Sequence, residues 1–427
     1  MRMVAVPVVA LTLLLTMVAG ALAQQPPAAP PQVIGRVLTL DEALAIALEN
    51  QPNIQARLSD YAAAAYRVDQ ALSPLLPQLS AGISAARTQS FSPTTVSGAS
   101  TASIRTWDDS TLARVSVSQL LFDFGKTFAS TEVARKLADV ASEDVELQRQ
   151  LITLAVKESY TNINFAQRLI AVQQQALERA ELNVRSARGF FEVGTRPKSD
   201  VTRAEVDVAN ARVDLIRARN AERNARVALN TAMGIAANTP TQIQDNLVYE
   251  PVTLDPVQLV GEAYRQRPES RQARLQVEAA DARARRAFRD FFPDITASGF
   301  YGGTRADLNE VWEIGLGLSW SLFDGGNRMA RYRETRVLLE GAQARVRATE
   351  LDISREVEQA QINVSEANER IQAAKTAVES ALENFRLAQG RFDAGVGTIL
   401  ELTDAQLALT QTQNAETQAL ADYRIAL

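Results

Sequence analysis

The chain has 427 residues, with 45 Lys and Arg against 50 Asp and Glu, and it contains neither His nor Cys. Those two absences remove disulfides, thiolate nucleophiles, a lipidated N-terminal Cys, imidazole-built zinc sites and the Ser-His-Asp triad, so no enzyme, metal or cofactor is expected. A net charge of −5 with no basic block leaves no footprint for a nucleic-acid backbone.

The first segment is an address. Arg2 precedes an apolar run from Val4 to Val18, and Ala21-Leu22-Ala23 supplies the small-x-small pattern of signal-peptide cleavage, so residues 1–23 read as a signal peptide and the protein as exported. The run is shorter than the roughly 20 apolar residues a spanning helix needs, and no other stretch approaches that length. Residues 24–36, with Pro26, Pro27, Pro30 and Pro31, read as an extended tether.

From there the chain is written twice. Pro52 and Pro77 are answered by Pro268 and Pro293, each displaced by 216 positions, while Phe122 and Gly194 are answered by Phe323 and Gly395, each displaced by 201. The difference of 15 places extra residues between Pro77 and Phe122, read as a longer loop at 91–110 against 304–310 in the second copy. Repeat 1 therefore runs over 37–234, a connector over 235–255 and repeat 2 over 256–427.

Inside each repeat the period changes in a fixed order. Before the long helices it is two. Ala113, Val115 and Val117 alternate with Arg114, Ser116 and Ser118, and Leu316, Leu318, Trp320 and Leu322 alternate with Gly315, Gly317, Ser319 and Ser321. With Leu79–Thr88 and Ile295–Gly303 as partners they predict two hairpins, at about 78–122 and 294–323, each with one apolar face. Lys126–Arg188 then lacks Gly and Pro altogether and Asn327–Gln389 holds only Gly341, so each predicts one helix of 63 residues, about 95 Å long. Val133, Leu137, Val140 and Leu147 mark one apolar stripe of the first helix, and Val145, Ile152, Val156 and Ile163 a second. Two stripes require two neighbours, as in a continuous helical wall. Gly194 and Gly395 supply left-handed turns, after which return helices complete antiparallel hairpins over about 126–233 and 327–427. Strands of about 10 residues match the height of a transmembrane barrel wall, yet four cannot close. Two chains give eight strands and three give twelve, and only the larger ring leaves an open lumen.

The order of these landmarks, through LFDFGK, FEVGTRPKSDV, SLFDGGN and FDAGVGTILELTD, resembles the TolC-like outer-membrane efflux protein family over residues 40–427. The resemblance implies a mainly α fold with a transmembrane β-barrel: a homotrimer whose twelve-stranded barrel in outer-membrane lipid continues into a periplasmic α-helical barrel. It also implies an exit duct for drugs or proteins, working with a periplasmic adaptor and an inner-membrane transporter in efflux or type I secretion. The tips at Gly194, Thr195, Gly395 and Val396 match the places where such channels meet an adaptor. Glu401 and Asp404 fall on the acidic pair that narrows the tunnel mouth, and Asp200 on a position that holds the mouth closed. Two departures stand out: Phe392 replaces an aromatic hydroxyl and Gly397 a basic residue. Arg196 is therefore expected to pair with Glu401 or Asp404 and perform the closure.

Plainer readings stand beside these. Glu401 and Asp404 sit where acids favour a helix N-terminus, Gly194 and Gly395 are turn glycines in any case, and Asp123 and Asp324 read as N-caps of the long helices. Trp320 and Phe323 mark either an interfacial aromatic belt or a packing cluster. The alternative of another class is a soluble periplasmic coiled-coil scaffold or adaptor, which would need no detergent. No nucleotide-binding loop is present to supply energy.

Overall fold

A computed structural model of the chain describes residues 36–96, 100–252, 255–304 and 309–427. The signal peptide and all of the tether except Arg36 lie outside the described residues. Strand β1 (Val37–Leu38) leads into α1 (Leu40–Asn50), whose start is fixed by a capping box between Thr39 and Glu42. Pro52 opens α2 (Pro52–Leu72), where its fixed φ suits the first turn. Strands β2 (Gln78–Val96) and β3 (Ser100–Phe122) form a hairpin, followed by the helices α3 (Lys126–Glu192) and α4 (Lys198–Ala232). The connector contributes β4 (Gln242–Ile243), parallel to β1. The order then recurs as α5 (Pro256–Gln266), α6 (Pro268–Arg289), β5 (Asp294–Thr304), β6 (Asn309–Ser319), α7 (Asn327–Asp393) and α8 (Ile399–Ala426). Both α3 and α7 run for 67 residues, four more than the sequence predicts, or about 100 Å.

The strands form one antiparallel sheet in the order β2-β3-β5-β6. Its register gathers Leu79, Ile83, Val115, Val117, Tyr301, Trp312, Ile314, Leu316 and Leu318 on one face, all exposed. Ser80, Ser84, Ser116, Ser118 and Ser298 share the other face with Arg114, whose guanidinium lies 6.0 Å from the centre of the Phe300 ring.

The expected loop at 91–110 is corrected. Pairing of β2 with β3 continues to Val96↔Ser100, whereas pairing of β3 with β5 stops at Leu112↔Thr304. The extra residues thus lengthen a two-stranded ribbon, which projects about 40 Å past its neighbours. This run is rich in Ser and Thr and has no apolar alternation to reveal a strand, because neither of its faces has a core to meet.

Near the sheet the helices pack in the order α2-α3-α6-α7; farther away α3 lies between α4 and α8, and α8 against α7. At mid-height Leu38, Ala43, Ala47, Ile54, Ile152, Val156, Ile163, Leu229, Met233 and Ile243 surround Tyr160 in a core. The Tyr160 hydroxyl sits 3.0 and 2.8 Å from the carbonyl oxygens of Leu38 and Gln244, which ties the β1–β4 pair to α3.

The sheet joins the long helices through repeated left-handed turns. Gly125 and Gly326, at φ of 82° and 88°, occupy the N-cap positions expected for Asp123 and Asp324. The carboxylates still cap, from two residues upstream: Asp123 accepts from the amides of Gly125 and Thr127 at 2.9 and 2.6 Å, and Asp324 from those of Gly326 and Arg328 at 3.2 and 3.0 Å. A left-handed residue between carboxylate and helix swings the chain so that the acid reaches over the first turn.

Candidate functional site

The two helical hairpins turn at the end of the molecule farthest from the sheet. Gly194 and Gly395 adopt φ of 77° and 80° there. At the first tip the Gly194 and Thr195 amides donate to the Phe191 and Phe190 carbonyls, and at the second those of Gly395 and Val396 donate to Phe392 and Arg391. Each turn leaves a large apolar side chain in solvent: Val193 is 71% exposed and Val396 72%. Val193 stands in the FEVGTRPKSDV motif but was not among the expected tip residues.

Arg196 joins the tips, although not through the expected acids. Its guanidinium lies 4.3 Å over the ring of Phe392, donates to the Gly397 carbonyl at 2.5 Å and stands 3.6 Å from Asp200 one turn along α4. The Arg196 and Asp200 side chains are only 13% and 16% exposed, so screening there is weaker than at the surface. Phe190 and Phe392 pack edge to face at 5.7 Å and complete the contact. Glu401 instead faces Arg391 of its own hairpin at 3.7 Å, and its amide is capped by the Thr398 hydroxyl at 3.2 Å. Within one chain the expected Arg196 pairing with Glu401 or Asp404 is therefore replaced: a flat aromatic face and a carbonyl stand within reach, while the nearer cation holds Glu401. The substitution of Phe392 and Gly397 belongs to the same arrangement. A Cβ at Gly397 would come within 3.0 Å of the Arg391 and Phe392 backbone, which leaves the basic side chain of the family pattern no room.

Above the tips, α4 and α8 approach each other across α3 around a cavity of 260 Å³ lined by Gln173, Arg203, Asp207, Thr403, Asp404 and Gln406 among others. Nothing in its spacing singles out Asp207, which lies seven residues past Asp200 in a helix rich in charge. Burial pushes its carboxyl above the ordinary range, Arg203 pulls it back in part, and the charge of Asp404 adds to the rise. One Asp207 carboxylate oxygen is buried without a hydrogen-bond partner. Behind the cavity a polar seam joins the hairpins: Asn183 donates to Gln406 at 2.6 Å, Gln406 to the Ala176 carbonyl at 3.1 Å, and Gln173 to Asn414 at 3.3 Å.

These parts, an apolar-faced sheet with open edges and two long hairpins meeting at tips, are shared with known proteins. The profile of the outer membrane efflux protein family matches residues 43–235 and 259–427. The chain belongs to that family. It is 24% identical to the outer membrane protein TolC of Escherichia coli K12, over 88% of this chain and 78% of that one. It is 25% identical to the alkaline protease secretion protein AprF of Pseudomonas aeruginosa, over 89% and 81%. The solved outer-membrane channel OprN shares the fold at a TM-score of 0.78 and 20% identity, covering 91% of this chain and 87% of that one. The protein is thus an outer-membrane efflux channel reaching into the periplasm and not an enzyme, and the soluble scaffold or adaptor alternative is set aside. Among the described residues no helix is long and apolar enough to cross a membrane.

Proposed function

We propose that three copies of the chain close into one duct, and that the duct exports small molecules or proteins delivered by an inner-membrane transporter through a periplasmic adaptor docked at the tips. The observation that carries this reading is the pair of open edges on a single chain. β2 and β6 each have a neighbour on one side only, and four strands cannot close in lipid. Val206, Val213, Ile216 and Val227 stand exposed on the side of α4 turned from α3, while Val337, Leu351, Ile362 and Leu387 stand exposed on α7. Joining the β6–α7 edge of one copy to the β2–α2–α4 edge of the next is a head-to-tail contact, and such contacts close into rings. The test is the mass of the detergent-extracted protein by light scattering. Three chains per particle are expected, and a monomer that stays in solution without detergent overturns the proposal.

At the mouth, Arg196 acts as the latch between hairpins, with Asp200 holding its guanidinium, and Glu401 and Asp404 form the constriction. The exposed Val193 and Val396, beside Gly194, Thr195 and Gly395, give the adaptor an apolar foothold. Arg196→Ala frees the first tip from Phe392 and the Gly397 carbonyl, so single-channel conductance in planar bilayers rises. Arg196→Lys behaves like the alanine variant, because an ammonium cannot stack flat and donate sideways at once. Unchanged conductance in Arg196→Ala removes the latch.

A further inference from the structure

Where the sheet meets the helices, the apolar face runs on as a ladder of rings. Phe122 shares register with Ile295, and Ile295 with Leu318, on the apolar side. It packs edge to face on Phe124 at 4.8 Å, Phe124 stacks on Phe292 at 5.2 Å, Phe292 meets Phe288 at 5.9 Å and Phe288 meets Tyr332 at 5.8 Å. The ladder therefore starts on the lipid-facing side of the sheet and descends the outer surface of α6 and α7. At its foot opens a cavity of 490 Å³, which the rings share with Arg285, Arg289 and Arg336.

Three features distinguish this cavity from an ordinary surface groove. Phe124 is the one non-glycine residue with positive φ among the described residues, at 55°, where the second repeat places Gly325 at 69°. Backbone strain is thus accepted so that a half-exposed ring can stand at the membrane edge. The guanidiniums are also graded in availability: Arg285 is held by Glu132 and Asp281, Arg289 donates to the Gly125 carbonyl at 2.8 Å, and Arg336 has no hydrogen bond or ion pair with any described residue. Three cations face a single lining carboxylate, Asp281. Finally, the aromatic floor is continuous with the face the sheet turns to lipid, so an acyl chain lying on that face leads into the cavity.

We propose that this cavity binds the anionic phosphodiester headgroup of a glycerophospholipid from the periplasmic leaflet, with the phosphate on Arg336 and Arg289 and the first part of an acyl chain on Phe292 and Phe124. The site rests on the outer-membrane placement of the sheet. A guanidinium offers paired donors to phosphate oxygens, and Arg336, which makes no hydrogen bond or ion pair among the described residues, has its donors open to a ligand. One lipid per chain would fasten the membrane end of α7 to the leaflet just where the helical wall begins.

The experiment is native mass spectrometry of the detergent-extracted full chain, stripped of lipid by detergent exchange and re-equilibrated with phosphatidylglycerol or with diacylglycerol of the same acyl chains. Phosphatidylglycerol is expected to stay bound at up to one per chain and diacylglycerol to be lost. Arg336→Gln weakens retention about tenfold, the worth of a charge-assisted hydrogen bond. Arg345→Gln removes the same charge from the opposite flank of α7 and leaves retention as in the unmodified chain. Circular dichroism confirms that the variants keep the fold, as expected for side chains without partners. Equal retention of the two lipids, unchanged retention in Arg336→Gln, or displacement of the lipid by millimolar inorganic phosphate overturns the proposal, the last by making the site one for a free anion. Failure of the membrane placement itself would look different, as a protein that needs no detergent.

Discussion

Asp123 and Arg196 show how far a single side chain can be read in advance. An acid just before a long helix without Gly or Pro is recognisable as a cap, and Asp123 does cap α3, through the Gly125 and Thr127 amides. Burial pushes its carboxyl up, but the hydroxyl and amide of Thr127, the Gly125 amide and the nearby Lys126 outweigh this and hold it below the ordinary range. A lowered carboxyl lends stability that is full above the unfolded value of about 4 and fades as pH falls through the folded one. Asp123→Ala should therefore cost about 1 kcal/mol at neutral pH, and the difference from the unmodified chain should vanish in strong acid. Thermal unfolding of the detergent-solubilised protein at both pH values checks this, and a difference that persists in acid rules out the charge as its source. What spacing along the helix did not reveal is that the cap acts from two positions upstream, since that depends on the left-handed Gly125. Arg196 was legible as a cation placed beside the first tip glycine, but its partner was not. The choice among Glu401, Asp404 and the ring of Phe392 is settled by which groups stand within reach across two hairpins, and a sequence orders residues only along one.

Among the elements, the long helices were legible to within four residues because Gly and Pro punctuate them and two apolar stripes demand neighbours. The projecting ribbon was not, since a strand without a core on either face has no period to show. The seam between α3 and α8 depends on something composition does not carry. In the run Thr410, Gln411, Thr412, Gln413, Asn414, Gln411 is exposed, while Asn414 and Gln413 meet Gln173 and Arg179 of the other hairpin, and Asn183 is almost fully buried against Gln406. Polar composition alone cannot tell a wet surface from two polar faces that satisfy each other. The pairing predicts a non-additive result. Asn183→Leu leaves the Gln406 amide without its buried partner and should cost about 1–3 kcal/mol, whereas adding Gln406→Leu removes the orphaned group and should restore part of the loss. A double-mutant cycle on thermal stability measures the coupling, and simple additivity would mean that the seam is solvated after all.

For the molecule as a whole, the decisive property is that one chain leaves unfinished edges at every level. The sheet ends in unpaired β2 and β6, and apolar residues stand exposed on α4 and α7. The same incompleteness explains why so many large apolar side chains meet solvent in an isolated chain, from Ile83 at 82% exposure to Ile314 at 83%. In the proposed ring, lipid and neighbouring copies are the two sinks available to them, and the sheet register separates the two roles: side chains that alternate outward along a strand would meet lipid, while strand edges would meet other strands. The faces can then be told apart by charge. Leu316→Arg puts a guanidinium on the lipid face near the middle of β6 and should cost about 2–4 kcal/mol, while Ser116→Arg, on the opposite face of β3 beside the water-filled lumen of the proposed duct, should cost far less. Refolding each variant into lipid vesicles and following its denaturant midpoint compares them directly. Equal losses in the two would mean that the sheet does not present one face to lipid and the other to water, and the closed ring built on that division would fall with it.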